Sequence, residues 1–248
     1  MIKILILLNL SMSALFAAQI NIAVAANVSY AMDALKVEFA KTHPDIDVKV
    51  TLGSSGKLVA QIKNGAPYGI FMSADMSFTA SLYKDNFATT QPIMYAQGAL
   101  AYLSIHPQDY SKGMQILEDA KIQKIAVANP KTAPYGAAAI EAMKQSGVYE
   151  SVKKKLVFAE SISQTVAFTV TATQIGFIAK SSLYSPQMSH FKENIHWADV
   201  DTSLYTPIDQ GIVLLQYAGD SKDYRDFYEF ILSQEAKEIF VRYGYRVR

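Results

Sequence analysis

Apolar positions along the chain switch repeatedly between two periods. Gln19–Ala25 is a nearly continuous apolar run, as a strand covered on both faces requires, and it breaks at Ala26-Asn27-Val28-Ser29. Met32, Leu35 and Phe39 then share one helical face, with Asn27 placed to cap the start and Pro44 to end the segment. Ile46, Val48, Val50 and Leu52 alternate as a second strand, followed by Gly53-Ser54-Ser55-Gly56-Lys57 and a helix carrying Leu58, Val59 and Ile62. Gly65-Ala66-Pro67 marks a turn, residues 69–72 a buried strand, and Asp75 the cap of another helix.

The same grammar continues. Residues 99–105, 125–128, 157–159, 175–179 and 211–217 read as strands, with helical runs after Pro134 and after Gln164. Phe227, Phe230, Ile231, Ala236, Ile239, Phe240 and Tyr243 form an amphipathic helical region with a break near Ser233. Strands separated by helices need crossover connections, so the expected fold is α/β with mostly parallel sheets. Several strands end in small polar residues and a helix start, with Asn27, Ser55, Tyr135 and Ile162 at such junctions. Ligands of open parallel sheets bind beyond the carboxyl ends of strands, where helix N-termini converge. Junctions in both halves of the chain point to a cleft between two lobes.

Composition narrows the chemistry. The 248 residues are half apolar and suffice for two cores. With 23 basic and 22 acidic residues, the chain has no field that calls for nucleic acid, so an anion must be recognised locally. Met1-Ile2-Lys3, a short apolar stretch and Phe16-Ala17-Ala18 read as a signal peptide over 1–18, cut after Ala17 or Ala18. No cysteine is present, which removes disulfides, thiolate metal sites and a lipidated anchor. The expected product is a soluble periplasmic protein.

The helix start at Gly53–Leu58 is an anion cradle or a simple cap. Thr51 and Leu58 depart from the phosphate-loop pattern at Gly56-Lys57, and residues 55 and 57 diverge by about 200° on a helix, which disfavours a Ser-Lys nucleophile. His43, His106, His190 and His196 lack metal-site spacing. Lys57 and Lys131 read as solvated side chains beside the junctions. Tyr135, held between Pro134 and Gly136, is a hydroxyl donor or an aromatic wall.

Read together, Ala25-Ala26-Asn27-Val28, Gly53–Leu58, Asn64-Gly65-Ala66-Pro67, Phe71-Met72-Ser73-Ala74-Asp75, Asn129-Pro130, Pro134-Tyr135-Gly136, Pro207, Gln210-Gly211 and residues 236–245 resemble the periplasmic molybdate-binding proteins of ABC transporters. The resemblance implies a class II periplasmic binding protein with two doubly wound α/β lobes joined by two crossing segments, near residues 95–100 and 205–211. Lobe one would comprise 19–97 and 207–248, and lobe two 98–206. Carried over by position, the oxyanion contacts fall on Asn27, Ser55, Tyr135 and the backbone N–H of Ile162. Asn27 stands where some members have Ser, and its side chain is expected to donate likewise. Ala179 occupies the place of a tyrosine found in some members and is excluded; the Tyr135 hydroxyl is expected to replace that donor. The implied function is a non-enzymatic, monomeric receptor without a cofactor. It would take molybdate or tungstate and deliver it to a membrane permease. The alternatives are a receptor for another oxyanion such as sulfate, or an exported serine hydrolase using Ser55.

Overall fold

The computed structural model describes residues 18–247; the leader expected over 1–18 falls outside them except for Ala18. The first half runs β1 (Ala18–Ala25), α1 (Ser29–Ala40), β2 (Ile46–Gly53), α2 (Ser55–Lys63), β3 (Ile70–Met72), α3 (Met76–Lys84) and β4 (Ile93–Gly98). Ala99 leads into β5 (Leu100–Leu103), β6 (Ile125–Ala128), α4 (Pro134–Gln145), α5 (Tyr149–Val152), β7 (Leu156–Ala159), α6 (Ile162–Thr171), β8 (Ile175–Ala179) and β9 (Trp197–Asp199). The chain then returns through β10 (Ile208–Leu214) to α7 (Lys222–Leu232) and α8 (Gln234–Arg242).

These strands form two five-stranded sheets, ordered β2-β1-β3-β10-β4 and β7-β6-β8-β5-β9. The first sheet draws on both ends of the chain and the second on the middle. Only two pairings in each sheet are parallel, so the mostly parallel expectation needs correction. β10 runs against both β3 and β4, and β5 runs against both β8 and β9. Four strands of each sheet still point one way; the reversed member is the strand that has just entered from the other sheet. Its direction is set by the crossing rather than by a helical crossover.

Both faces of each sheet are covered, which explains why β1, β3, β5, β6 and β8 read as unbroken apolar runs. Ile22 and Val24 of β1 pack with Leu35 and Phe39 of α1 and Phe227 and Phe240 of the C-terminal helices. Ala23 and Phe71 point to the opposite layer, with Leu58 and Ile62 of α2. The second lobe has its main core around Ile125, Val127, Met143 and Phe177. Ser233 separates α7 from α8 and caps the latter by accepting from the Ala236 N–H. Two differences from the sequence reading concern the strands at the two crossings. β4 was not expected as a strand, and β10 begins at Ile208 directly after Pro207 rather than at Gly211.

The crossing segments touch: the Tyr205 hydroxyl accepts from the N–H of Leu100 at 3.2 Å. Among the described residues, no helix is long and apolar enough to cross a membrane.

Candidate functional site

Four helical starts face one another where the two lobes meet. Ala26–Val28 forms a short 3₁₀ turn after β1, and α2 follows β2 through Ser54. In the second lobe, the loop after β6 is tied by Asn129, whose carbonyl accepts from Thr132 and Ala133 and whose side chain accepts from the Lys131 N–H. Pro134 then takes the first position of α4, where its missing N–H costs nothing. Ser161 caps α6 by accepting from the Gln164 N–H, while the N–H of Ile162 lies one position into the helix, where no intrahelical acceptor exists.

These starts line a small cavity with a volume of about 10 Å³. Asn27, Ser55, Tyr135 and Ile162 all line it, together with Ser54 and small apolar residues including Ala26 and Ala74. Ala179 is not among its lining residues. Among the described residues, Tyr135 is the only titratable side chain in the lining, with no histidine, carboxylate or lysine beside it. A larger open groove of about 480 Å³ lies elsewhere, beside α8, and carries Glu38, Glu235 and Glu238 with Lys237 and Arg242. Its carboxylates make it the poorer host for an anion.

The polar groups at the cavity are held in defined states. The Ser55 Oγ accepts from the Ala74 N–H at 3.0 Å, leaving the hydroxyl proton available. Tyr135, placed in the second position of α4 rather than in the preceding loop, accepts at its hydroxyl from Gln210 Nε2 at 3.0 Å. Burial pushes its phenol well above the usual range, so it stays a protonated donor.

Asn27 departs from the expected side-chain donor. Its Nδ2 donates to Gln210 Oε1 at 2.9 Å and to the Tyr245 hydroxyl at 3.1 Å. The atom left without a partner is Oδ1, an acceptor that cannot serve an oxyanion. The cradle at α2 is also leaner than the sequence suggests, because the Gly56 N–H donates across the cleft to the Thr132 carbonyl at 2.9 Å. Lys57 pairs with Glu160 of the second lobe, and Lys131 is exposed. Asp75 is the cap of α3, accepting from the Phe78 N–H at 3.0 Å. Among the described residues, no cluster of His, Asp or Glu could hold a metal ion.

Three residues escaped the sequence reading. Ser54 presents a buried hydroxyl without a partner at the cavity. Gln210 and Tyr245 hold Asn27 from far along the chain. Ser54 was legible as part of the Gly53–Leu58 stretch; the other two needed the fold.

The lobes are closed on this cavity. Ser163 Oγ donates to the Ala26 carbonyl at 2.8 Å and Ser181 Oγ to the Asn27 carbonyl at 3.0 Å, both between lobes. Ala25, Ala26 and Ala74 join the apolar core of the second lobe.

Two α/β lobes with paired crossings, closed on a small uncharged cavity at their strand ends, define a receptor that traps a small solute between its halves. The chain belongs to the bacterial extracellular solute-binding protein family, whose model matches residues 20–246. It is 37% identical to the molybdate-binding protein ModA of Rhodobacter capsulatus over 80% of this chain and 77% of that one. It is 33% identical to ModA of Azotobacter vinelandii, covering 92% and 90%. The solved periplasmic molybdate-binding protein of Azotobacter vinelandii superposes with a TM-score of 0.83 at 27% identity, covering 92% of this chain and 99% of that one.

Proposed function

We propose that this chain is a periplasmic receptor for molybdate or tungstate that hands the oxyanion to an ABC permease. The observation that carries the reading is that Asn27, Ser55, Tyr135 and Ile162, from four helix starts, line one small cavity between the lobes with no charged side chain among its described lining residues. The names and the fold of the relatives above support the same ligand.

A tetrahedral dianion needs donors around its oxygens and a counter to its charge. In this reading Ser55 and Tyr135 each donate a hydroxyl proton, and Ile162 and Ser55 offer N–H groups at the positive ends of α6 and α2. Asn27 contributes through its backbone N–H, since its side-chain amide is committed to Gln210 and Tyr245. Hydrogen bonds to a charged group contribute about 1.5–3 kcal/mol each, so several together offset dehydration and ordering. Donors alone also discriminate against protonated oxyanions, whose O–H would face another donor. Residues 19–97 with 207–248 would move as one lobe and 98–206 as the other, closing around the anion and presenting the closed form to the permease.

A hydrolase built on Ser55 lacks a base, because among the described residues no histidine or carboxylate lines the cavity. Removal of the leader after Ala17 would leave β1 whole, beginning with the pairing of Ala18 and Ile46.

The test is calorimetry of the mature protein with molybdate, tungstate, sulfate and phosphate. Tight binding of the first two with weak or absent binding of the others is expected. No heat with molybdate or tungstate would refute the reading, and competition between the two would rank them.

A further inference from the structure

The crossing strand β10 carries Gln210, a fully buried carboxamide that does not line the cavity yet links two residues that do. The register of β10 against β4 shifts between Gln210 and Gly211. Such bulges re-aim a side chain beside a site. Gln210 Oε1 accepts from the Tyr95 hydroxyl at 2.7 Å and from Asn27 Nδ2 at 2.9 Å. The amide oxygen faces Asn27 and Tyr95, whose hydroxyl also lies 3.2 Å from the Ser73 carbonyl, and the NH₂ faces the second lobe. There it donates to the Tyr135 hydroxyl at 3.0 Å.

A tyrosine hydroxyl has one proton and can rotate it toward any acceptor within reach. With Gln210 supplying a donor, the lone-pair side of the hydroxyl is occupied and its own proton must point elsewhere. The approach is tight: a Cβ added to Gly98, the last residue of β4, would collide with both the Tyr135 hydroxyl and Gln210 Nε2. Glycine at 98 therefore permits the contact.

We propose that Gln210 is a positioning residue for the oxyanion: its carboxamide, anchored by Asn27 and Tyr95, occupies the acceptor side of the Tyr135 hydroxyl and aims that hydroxyl's proton into the cavity. The bonds form one directed chain, from Asn27 in the first lobe through Gln210 in the crossing to Tyr135 in the second, and each member polarises the next. Tyr135 is thus set as a donor only when the lobes bring α4 against β10. This inference rests on the oxyanion-receptor reading above.

The experiment is a double-mutant cycle on molybdate affinity, with Gln210→Glu, Tyr135→Phe and the pair, each checked for folding by circular dichroism. Gln210→Glu keeps an acceptor for Tyr95 and Asn27 but offers an oxygen to Tyr135, whose proton then turns from the cavity to the carboxylate. Gln210→Glu should weaken binding at least tenfold in the wild-type background and by no more than about threefold when Tyr135 is already Phe. Gln210→Met, which adds no charge, should weaken binding about threefold or more alone and not at all on Tyr135→Phe; this variant decides if the Glu protein does not fold. In the wild-type protein, the Gln210 side-chain amide resonances should shift on adding molybdate, and the shift should vanish in Tyr135→Phe. That measurement decides if neither Gln210 variant folds. Folded Gln210 variants that bind within twofold of wild type, effects that multiply independently, or an amide shift that persists without the Tyr135 hydroxyl would overturn the proposal. Failure of the unaltered protein to bind molybdate or tungstate would instead overturn the receptor reading beneath it.

Discussion

The backbone N–H of Ala74 donates to the Ser55 Oγ across 3.0 Å, joining the end of the segment after β3 to the first residue of α2. The hydroxyl therefore enters the cavity with its acceptor side occupied and its proton unused. Ser55→Ala removes one charge-assisted donor, which at about 1.5–3 kcal/mol corresponds to a roughly ten- to hundredfold loss of molybdate affinity. Calorimetry checks this, and unchanged affinity would remove Ser55 from the proposed site.

Ser54 makes the opposite case. Its hydroxyl is buried, lines the same cavity and has no partner, and it makes no capping bond to α2. A buried polar group left unpaired costs about 1–3 kcal/mol. Ser54→Ala should therefore leave the ligand-free melting temperature unchanged or raise it. If the hydroxyl meets the anion, the same variant should shrink the thermal shift produced by molybdate. A drop in ligand-free stability would show that Ser54 serves the fold instead.

How much of this was legible beforehand follows from where each bond partner sits. The helix starts at Asn27, Ser55, Tyr135 and Ile162 are local patterns, and periodicity located each of them within a residue or two. The state of each donor is not local. Whether Asn27 offers its amide depends on Gln210 and Tyr245, 183 and 218 positions away. The Gly56 N–H looked free because its acceptor, the Thr132 carbonyl, belongs to the other lobe. β4 escaped for a related reason: Ile93–Gly98 mixes Tyr, Gln and Gly, and its strand character comes from pairing with β10, more than a hundred residues on. Patterns within a segment report which face is buried; they do not report which hydrogen is already spoken for.

Lys57 is the charge nearest the α2 start, and it pairs with Glu160 across the cleft while both side chains remain about half exposed. Exposed ion pairs contribute about 0–1 kcal/mol and are screened by salt. Lys57→Ala and Glu160→Gln should each change molybdate affinity by less than about fivefold, with the difference fading as ionic strength rises. A loss comparable to that of Ser55→Ala would mean that Lys57 neutralises the anion directly. Titrations at low and high salt separate the two outcomes.

The tyrosines behind the cavity contribute to the response to alkali, alongside other buried phenols such as Tyr102 and Tyr110. Burial raises the phenols of Tyr95, Tyr135 and Tyr245 above the ordinary value of 10, the first two well above it. Below pH 10 both folded and unfolded chains hold these protons, and the stability from burying neutral phenols is fully present. Above pH 10 the unfolded chain releases them while the folded chain keeps them, so the unfolded state binds fewer protons and stability falls as pH rises. Each such tyrosine should cost about 1 kcal/mol between pH 10 and pH 11, or about 3 kcal/mol for the three. Urea denaturation across pH 8 to 11 measures the slope, and Tyr245→Phe should make it shallower. Molybdate affinity should stay flat from pH 7 to 9, because among the described residues Tyr135 is the only titratable side chain lining the cavity and remains protonated throughout. A fall in affinity within that window would place a titrating group at the site that the cavity lining does not contain.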